Sequence, residues 1–150
     1  MTDAPDFRPM TEADLDAVLA IEIRAYDHPW TKGIFGDCIR VGYECWIAEL
    51  DGEMAGYGVL SVGAGESHVL NVAVAPERQG QGLGRRILMH LLDRARRQGA
   101  EQALLEVRPS NEKAIRLYED VGFCEICRRP GYYPGQERRE DAIVYALQLL

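Results

Sequence analysis

Residues 72–98 constrain the fold more than any other stretch of the chain. The apolar run Val72-Ala73-Val74-Ala75 stops at Pro76, and glycines follow at positions 80, 82 and 84. Leu83, Ile87, Leu88, Leu91, Leu92 and Ala95 then recur at helical spacing as far as Gly99. A strand at 68–74 thus passes through a glycine-rich turn into a helix at 83–98, where the apolar period changes from two to 3.6. Such a handover belongs to a chain that packs helices on a sheet. The turn is also an anion site in outline. Glycines let successive backbone N–H groups converge on a phosphate, and the helix adds its positive end, with Arg85 and Arg86 in its first turn. No Gly-Lys-Ser/Thr follows, so it is not a P-loop. A dinucleotide fingerprint would need glycine at 85, where arginine stands.

The flanking segments fill in the layers. Thr11-Glu12-Ala13-Asp14 reads as a cap opening a helix of about 11–26, with Leu15, Val18, Leu19, Ile23 and Tyr26 on one face. Thr31, after Pro29-Trp30, caps a short second helix carrying Phe35, Cys38 and Ile39. Strands at 45–50 and 53–60 meet at Asp51-Gly52, a hairpin signal, and Gly63-Ala64-Gly65 turns the chain into 68–74. Beyond the glycine-rich helix come a strand at 102–108 and a helix capped by Ser110 or Asn111 and stopped at Gly122. A strand at 123–129, a loop with Gly131, Pro134 and Gly135, and a last strand at 142–149 complete the order. There is no repeat or linker. The expectation is one α/β domain over 1–150, its mixed, mostly antiparallel central sheet flanked by about four helices.

Composition narrows the class. With 47% hydrophobic and 27% charged residues the chain is an ordinary globular one. No apolar run reaches the ~20 residues of a membrane span, and the start has no basic or apolar leader regions, so a cytoplasmic protein without membrane partners is expected. Cys124-x-x-Cys127 has no second CxxC, and His28, His68 and His90 lack ligand spacing, so no metal is expected. In a strand, positions three apart point to opposite faces, which leaves the cysteines as ordinary, partly buried thiols. The net charge of −7 is uneven: residues 1–75 hold 4 basic and 13 acidic side chains, residues 76–150 hold 13 and 11. A cationic acceptor suits the first half and an anionic cofactor the second, and solvated surface charge explains the pattern equally well. No strongly basic face invites nucleic acid.

Gln79-x-x-Gly82-x-Gly84 resembles the pyrophosphate loop of the GNAT acetyltransferase superfamily. Leu70-Asn71-Val72-Ala73-Val74-Ala75-Pro76 and Ser110-Asn111-x-x-Ala114-Ile115-x-Leu117-Tyr118-Glu119-x-x-Gly122-Phe123 are similar to its other signatures, in the right order. Pro29-Trp30, Leu105-Glu106-Val107-Arg108-x-Ser110-Asn111, Arg128-Arg129, Tyr132-Tyr133-Pro134 and 139–143 resemble its RimI group, which acetylates the N-terminal alanine of a small-subunit ribosomal protein. The resemblance implies acetyl-CoA as co-substrate and no metal. It also implies Glu106 as general base, Tyr118 as general acid, and backbone around Val72, Ala73 and Val74 pairing with the pantetheine arm. By the same resemblance Gln79, Gly80, Gln81, Gly82, Leu83, Gly84, Arg85, Asn111 and Tyr118 face the cofactor. The implied partner is the basic N-terminal segment of a ribosomal protein, with no direct nucleic-acid contact.

The sequence departs from that pattern twice. Pro130-Gly131 adds a residue between the paired arginines and tyrosines, and Gly80 replaces a longer side chain. Plainer readings stand beside each role. Glu106 also reads as a solvated strand-end acid, Tyr118 as a core tyrosine, and Trp30 as a loop anchor. Tyr132 and Tyr133 line an acceptor pocket or pack a hairpin tip on themselves. No Cys–His pairing suggests an acyl-cysteine, so direct transfer is expected. Two other functions remain open at this level: acetylation of a small amine, and CoA sensing without turnover.

Overall fold

The computed structural model describes residues 4–135 and 138–150. Its strands form a seven-stranded sheet among the described residues: β1 (Asp6–Pro9), β2 (Glu44–Leu50), β3 (Glu53–Gly63), β4 (Glu66–Val74), β5 (Gln102–Val107), β6 (Cys124–Tyr133) and β7 (Glu140–Gln148). They lie in the order β1-β2-β3-β4-β5-β7-β6, with β4–β5 the one parallel pair. The helices are α1 (Leu15–Ala25), α2 (Lys32–Arg40), α3 (Leu83–Arg97) and α4 (Glu112–Val121). This is the mixed, mostly antiparallel α/β architecture anticipated from the residues.

Local chemistry explains the joints. Asp51 and Gly52 both take positive φ (53° and 77°), the geometry of a two-residue hairpin whose twist matches the strands. Thr31 accepts the Ile34 N–H at 3.2 Å to open α2. Of the two candidates for the α4 cap, Asn111 performs it, its Oδ1 accepting the Ala114 N–H at 3.3 Å. α3 lies tightly over β3. A Cβ on Gly56 would stand 2.9 Å from Ile87 Cδ1, and one on Gly58 would stand 2.8 Å from Ile87 Cγ2. Glycine at both positions lets the helix settle with its N-terminus at the end of β4.

Four expectations need correction. β1 was not foreseen, because four residues that follow Pro5 and end at Pro9 carry no alternating pattern. The first helix begins as a 3₁₀ turn at Glu12–Asp14 and becomes α-helical at Leu15. Its buried face holds Leu15, Val18, Ile21 and Glu22, whereas Ile23 is exposed. The segment around Pro130–Tyr133 belongs to β6 rather than to a loop: four residues of β6 there span two of β7, a bulge with Gly131 at φ 58°. A second bulge at Ile126 pairs Cys124 with Ala146 and Cys127 with Val144. These partners are two apart, so both cysteines share one face of the sheet, and both are exposed.

Candidate active site

The site begins as a fault in the sheet. β4 and β5 pair only from Glu66–Gln102 to Val69–Leu105. At that point β4 carries an extra residue against β3, Leu70, standing between the pairs Leu60–Val69 and Val59–Asn71. A bulge bends its strand, and here the bend carries β4 away from β5. Past it, Leu70 to Val74 have no partner on the β5 side, while Glu106 and Val107 remain paired to β7. A cleft opens between the strands.

Two cavities occupy this cleft. One, of about 510 Å³, lies between β4, the glycine loop and α4, and includes Val74, Gln79, Gly82, Arg85, Lys113 and Leu117 in its walls. The other, of about 330 Å³, is walled by Glu22, His28, Trp30, Asn71, Glu106 and Tyr133 among others. Tyr26, Val72, Asn111 and Tyr118 line both, so the two chambers meet at these side chains.

The first chamber fits a phosphorylated ligand. Gly80 and Gly82 sit at φ 80° and 82°, and a Cβ on either would meet nothing within 4 Å, so the space above the loop is open. Arg86 is the first residue of α3 whose N–H closes back on the turn, at 3.2 Å to the Gly82 carbonyl. The N–H groups of Leu83, Gly84 and Arg85 lie ahead of it, without intrahelical partners. Arg78, Arg85 and Lys113 add cations. Along β4, Tyr26 Oη donates to the Val72 carbonyl and Gln79 Nε2 to the Val74 carbonyl at 3.2 Å. N–H and C=O of one strand residue leave on the same side, so the Val72 and Val74 N–H groups also face the cleft. Ala73 faces β3 instead, opposite Tyr57. Gln81 lines a separate groove on the outer side of α3, beside Phe7 and His90.

The second chamber is held by a buried polar knot. Glu22, 1% exposed, accepts from Tyr57 Oη at 2.6 Å, from the Trp30 N–H at 2.9 Å and from Asn71 Nδ2 at 3.2 Å. Burial, then Glu22, keeps the Tyr57 phenol protonated well above its ordinary range. The knot fixes the α1–α2 connection, and the Trp30 ring anchors it further, 5.1 Å from that of Phe35. Across the chamber Arg108 stacks 4.5 Å over Tyr133 and donates to the Pro134 carbonyl at 2.7 Å, tying β6 to the end of β5. The two tyrosine rings pack edge to face at 4.9 Å, and Tyr133 is among the walls of the chamber whereas Tyr132 is not.

Both candidate proton carriers line the second chamber, and Tyr118 lines the first as well. The Glu106 side chain is 10% exposed, with His68 Nε2 at 3.4 Å and Arg129 Nη2 at 4.0 Å from Oε1. Tyr118 makes no side-chain hydrogen bond among the described residues, and burial pushes its phenol up to about 12. Burial, then Glu106, likewise lifts Tyr133 to about 12. Sequence reasoning did not single out Glu22, Tyr26, His28 or Arg108. Glu22 left a signal, since it stands among the buried positions of α1, where a charge is out of place. The described residues hold no group of three or more His, Cys, Asp or Glu placed to bind a metal.

Comparison with known proteins bears on this geometry. Residues 11–123 match the model of the acetyltransferase (GNAT) family. The chain is 41% identical over 136 residues to the [ribosomal protein bS18]-alanine N-acetyltransferase of Escherichia coli K12, covering 91% of this chain and 92% of that protein. The crystal structure of the ribosomal-protein-S18-alanine N-acetyltransferase from Escherichia coli superposes with a TM-score of 0.90 at 39% identity, over 97% of this chain and 94% of that one. YncA of Salmonella typhimurium, solved with its cofactor acetyl-CoA, superposes with a TM-score of 0.81 at 25% identity, over 99% and 95%.

Proposed function

Because the chain belongs to the acetyltransferase (GNAT) family and is an acetyl-CoA-dependent N-acetyltransferase, we propose that it acetylates the N-terminal alanine of the small-subunit ribosomal protein bS18. In this reading residues 1–150 act as one catalytic domain, working in the cytoplasm. No helix among the described residues is long and apolar enough to cross a membrane. One observation carries the reading: a phosphate-fitting chamber and a carboxylate-bearing chamber meet at Tyr26, Val72, Asn111 and Tyr118.

Acetyl-CoA supplies an activated acetyl group on a thioester. The amides of Leu83, Gly84 and Arg85, with Arg78 and Lys113, hold its pyrophosphate, and the Val72 and Val74 N–H groups donate to the pantetheine arm as a neighbouring strand would. The acceptor amine enters through the second chamber, between the Tyr26–Trp30 connection and Tyr133. An N-terminal amine has a pKa near 8, so a carboxylate is a sufficient base, whereas a lysine near 10.4 would demand more. Glu106 takes the first proton from the ammonium; after the amine attacks the thioester, Tyr118 gives its phenolic proton to the departing sulfur and regains one from the acylated nitrogen. Burial keeps that phenol protonated throughout the working range.

Incubation with acetyl-CoA and an Ala-Arg peptide containing internal lysines should add one acetyl group. Mass spectrometry after digestion should find it on the α-amine. Acetyl chiefly on lysine, or faster turnover of spermidine than of any peptide, would overturn the reading in favour of a small-amine acceptor.

A further inference from the structure

One proton must leave the protein in each cycle. An ammonium substrate loses two protons on becoming an amide: one ends on the released CoA thiol and the other goes to water. Glu106 is 10% exposed, so its carboxyl needs a path out when the cleft is filled.

The sheet offers that path away from the cleft. His68 pairs with Leu104 across the parallel β4–β5 register, one row before the strands separate. Leu104 and Glu106 are two apart on β5 and share a face, so the imidazole lies on the same face as the carboxylate. Its Nε2 stands 3.4 Å from Glu106 Oε1, and its side chain is 35% exposed. Leu105 and Val107 point the other way, into the core. The face around His68 is open: Leu104 and Ala146 are half-buried, and Cys124 and Cys127 are exposed. His68 therefore touches the carboxylate on one side and reaches water on the other.

We propose that His68 is a positioning residue for Glu106, orienting its carboxylate and relaying its proton to solvent; this rests on Glu106 being the general base. The amine N–H bond breaks as a Glu106 O–H bond forms. That proton then passes to the neutral Nε2 lone pair, and the imidazolium releases a proton to water, leaving both groups as they began. The other charged or titratable groups at this carboxylate come from β6. Arg129 stands 4.0 Å away, and the Tyr132 and Tyr133 phenols are held above their ordinary range first by burial and then by Glu106. From β3, uncharged Ser61 lies opposite His68.

The test compares His68→Ala and His68→Gln with Glu106→Gln in steady-state turnover of the Ala-Arg peptide. Removing the relay should lower kcat roughly tenfold, a part of the 10²–10⁴ that proton transfer contributes, with KM for acetyl-CoA unchanged. Free imidazole should restore His68→Ala in proportion to its concentration, and the acid limb of kcat should change in His68→Gln. In a Glu106→Gln background the His68 substitutions should cost nothing more. Full kcat and an unaltered pH profile in both His68 variants, or a loss that imidazole does not restore, would overturn the relay and leave Glu106 standing. Normal turnover by Glu106→Gln would instead remove the base on which it depends.

Discussion

Glu22→Ala tests whether the buried knot behind the proposed acceptor chamber shapes the site. The substitution removes the acceptor of three donors: Tyr57 Oη at 2.6 Å, the Trp30 N–H at 2.9 Å and Asn71 Nδ2 at 3.2 Å. Tyr57 is fully buried and Asn71 is 8% exposed, so neither finds water as a substitute. Trp30 lies in a connection beside the cavity and can be rehydrated. Two orphaned donors at about 1–3 kcal/mol each imply a loss near 4 kcal/mol. In a domain of this size that lowers Tm by about 8–16 °C. Urea unfolding followed by circular dichroism should show a lower midpoint with an unchanged slope. Trp30 and Asn71 wall the acceptor chamber, so KM for the peptide should rise while KM for acetyl-CoA stays constant. Glu22→Gln, which keeps one acceptor oxygen, should lose about half as much. A loss below about 1 kcal/mol in Glu22→Ala, or a rise in KM for acetyl-CoA alone, would refute the assigned role of the knot.

Further outcomes follow from the cleft. Acetyl-CoA should raise Tm by binding only the folded state, and Gly82→Glu should abolish that shift by filling the open space over the loop with an anion; an undiminished shift would rule the loop out. Tyr118→Phe should lower kcat roughly 10²-fold in a steady-state assay, with acetyl-CoA affinity nearly unchanged; near-normal turnover would leave the sulfur without its assigned proton donor. The raised Tyr118 phenol favours its protonated form in the fold. Its contribution to stability is therefore complete below pH 10 and is lost as pH rises toward about 12, so alkaline unfolding should be less steep in Tyr118→Phe.

The parts of the molecule visible in the residues are those governed by local chemistry. Asp51-Gly52 names its turn, Thr31 and Asn111 name their caps, and the alternation of glycine with Leu83 names the start of α3. What stayed hidden depends on pairing. Nothing around Leu70 marks it as the residue left over when β4 meets β3, because a bulge is a property of two strands. The same holds for Cys124 and Cys127: three positions apart predicts opposite faces, and the bulge at Ile126 returns them to one. Glu106 and Tyr118 were proposed through resemblance rather than physics, since a strand-end acid and a helical tyrosine look ordinary until a cleft lies beside them. The partners of Glu106, above all His68, come from another strand and left no trace in spacing.

Charge shows the limit of counting. The balance of −9 over residues 1–75 suggested an acidic wall for a basic acceptor, yet most of those acids are engaged elsewhere. Asp14 and Glu49 hold Arg8, Asp16 holds Lys32, Glu12 and Asp37 hold Arg40, and Glu44 holds Arg94. Glu22 reaches the acceptor chamber with its lone pairs already claimed by three donors. From the second half, Glu140 is tied to Arg108 and Ser110. Glu106 inside the chamber and exposed Asp27 near its mouth are thus the acids best placed to meet an incoming cation. Two charges at short range bias the last few ångströms of approach more than they steer from a distance, because exposed charges are screened within about 8–10 Å. In the proposed mechanism, selection among amines then falls to the walls themselves: Tyr26, Trp30 and Tyr133 line the same cavity as Glu106 and would decide which chain ends can reach it.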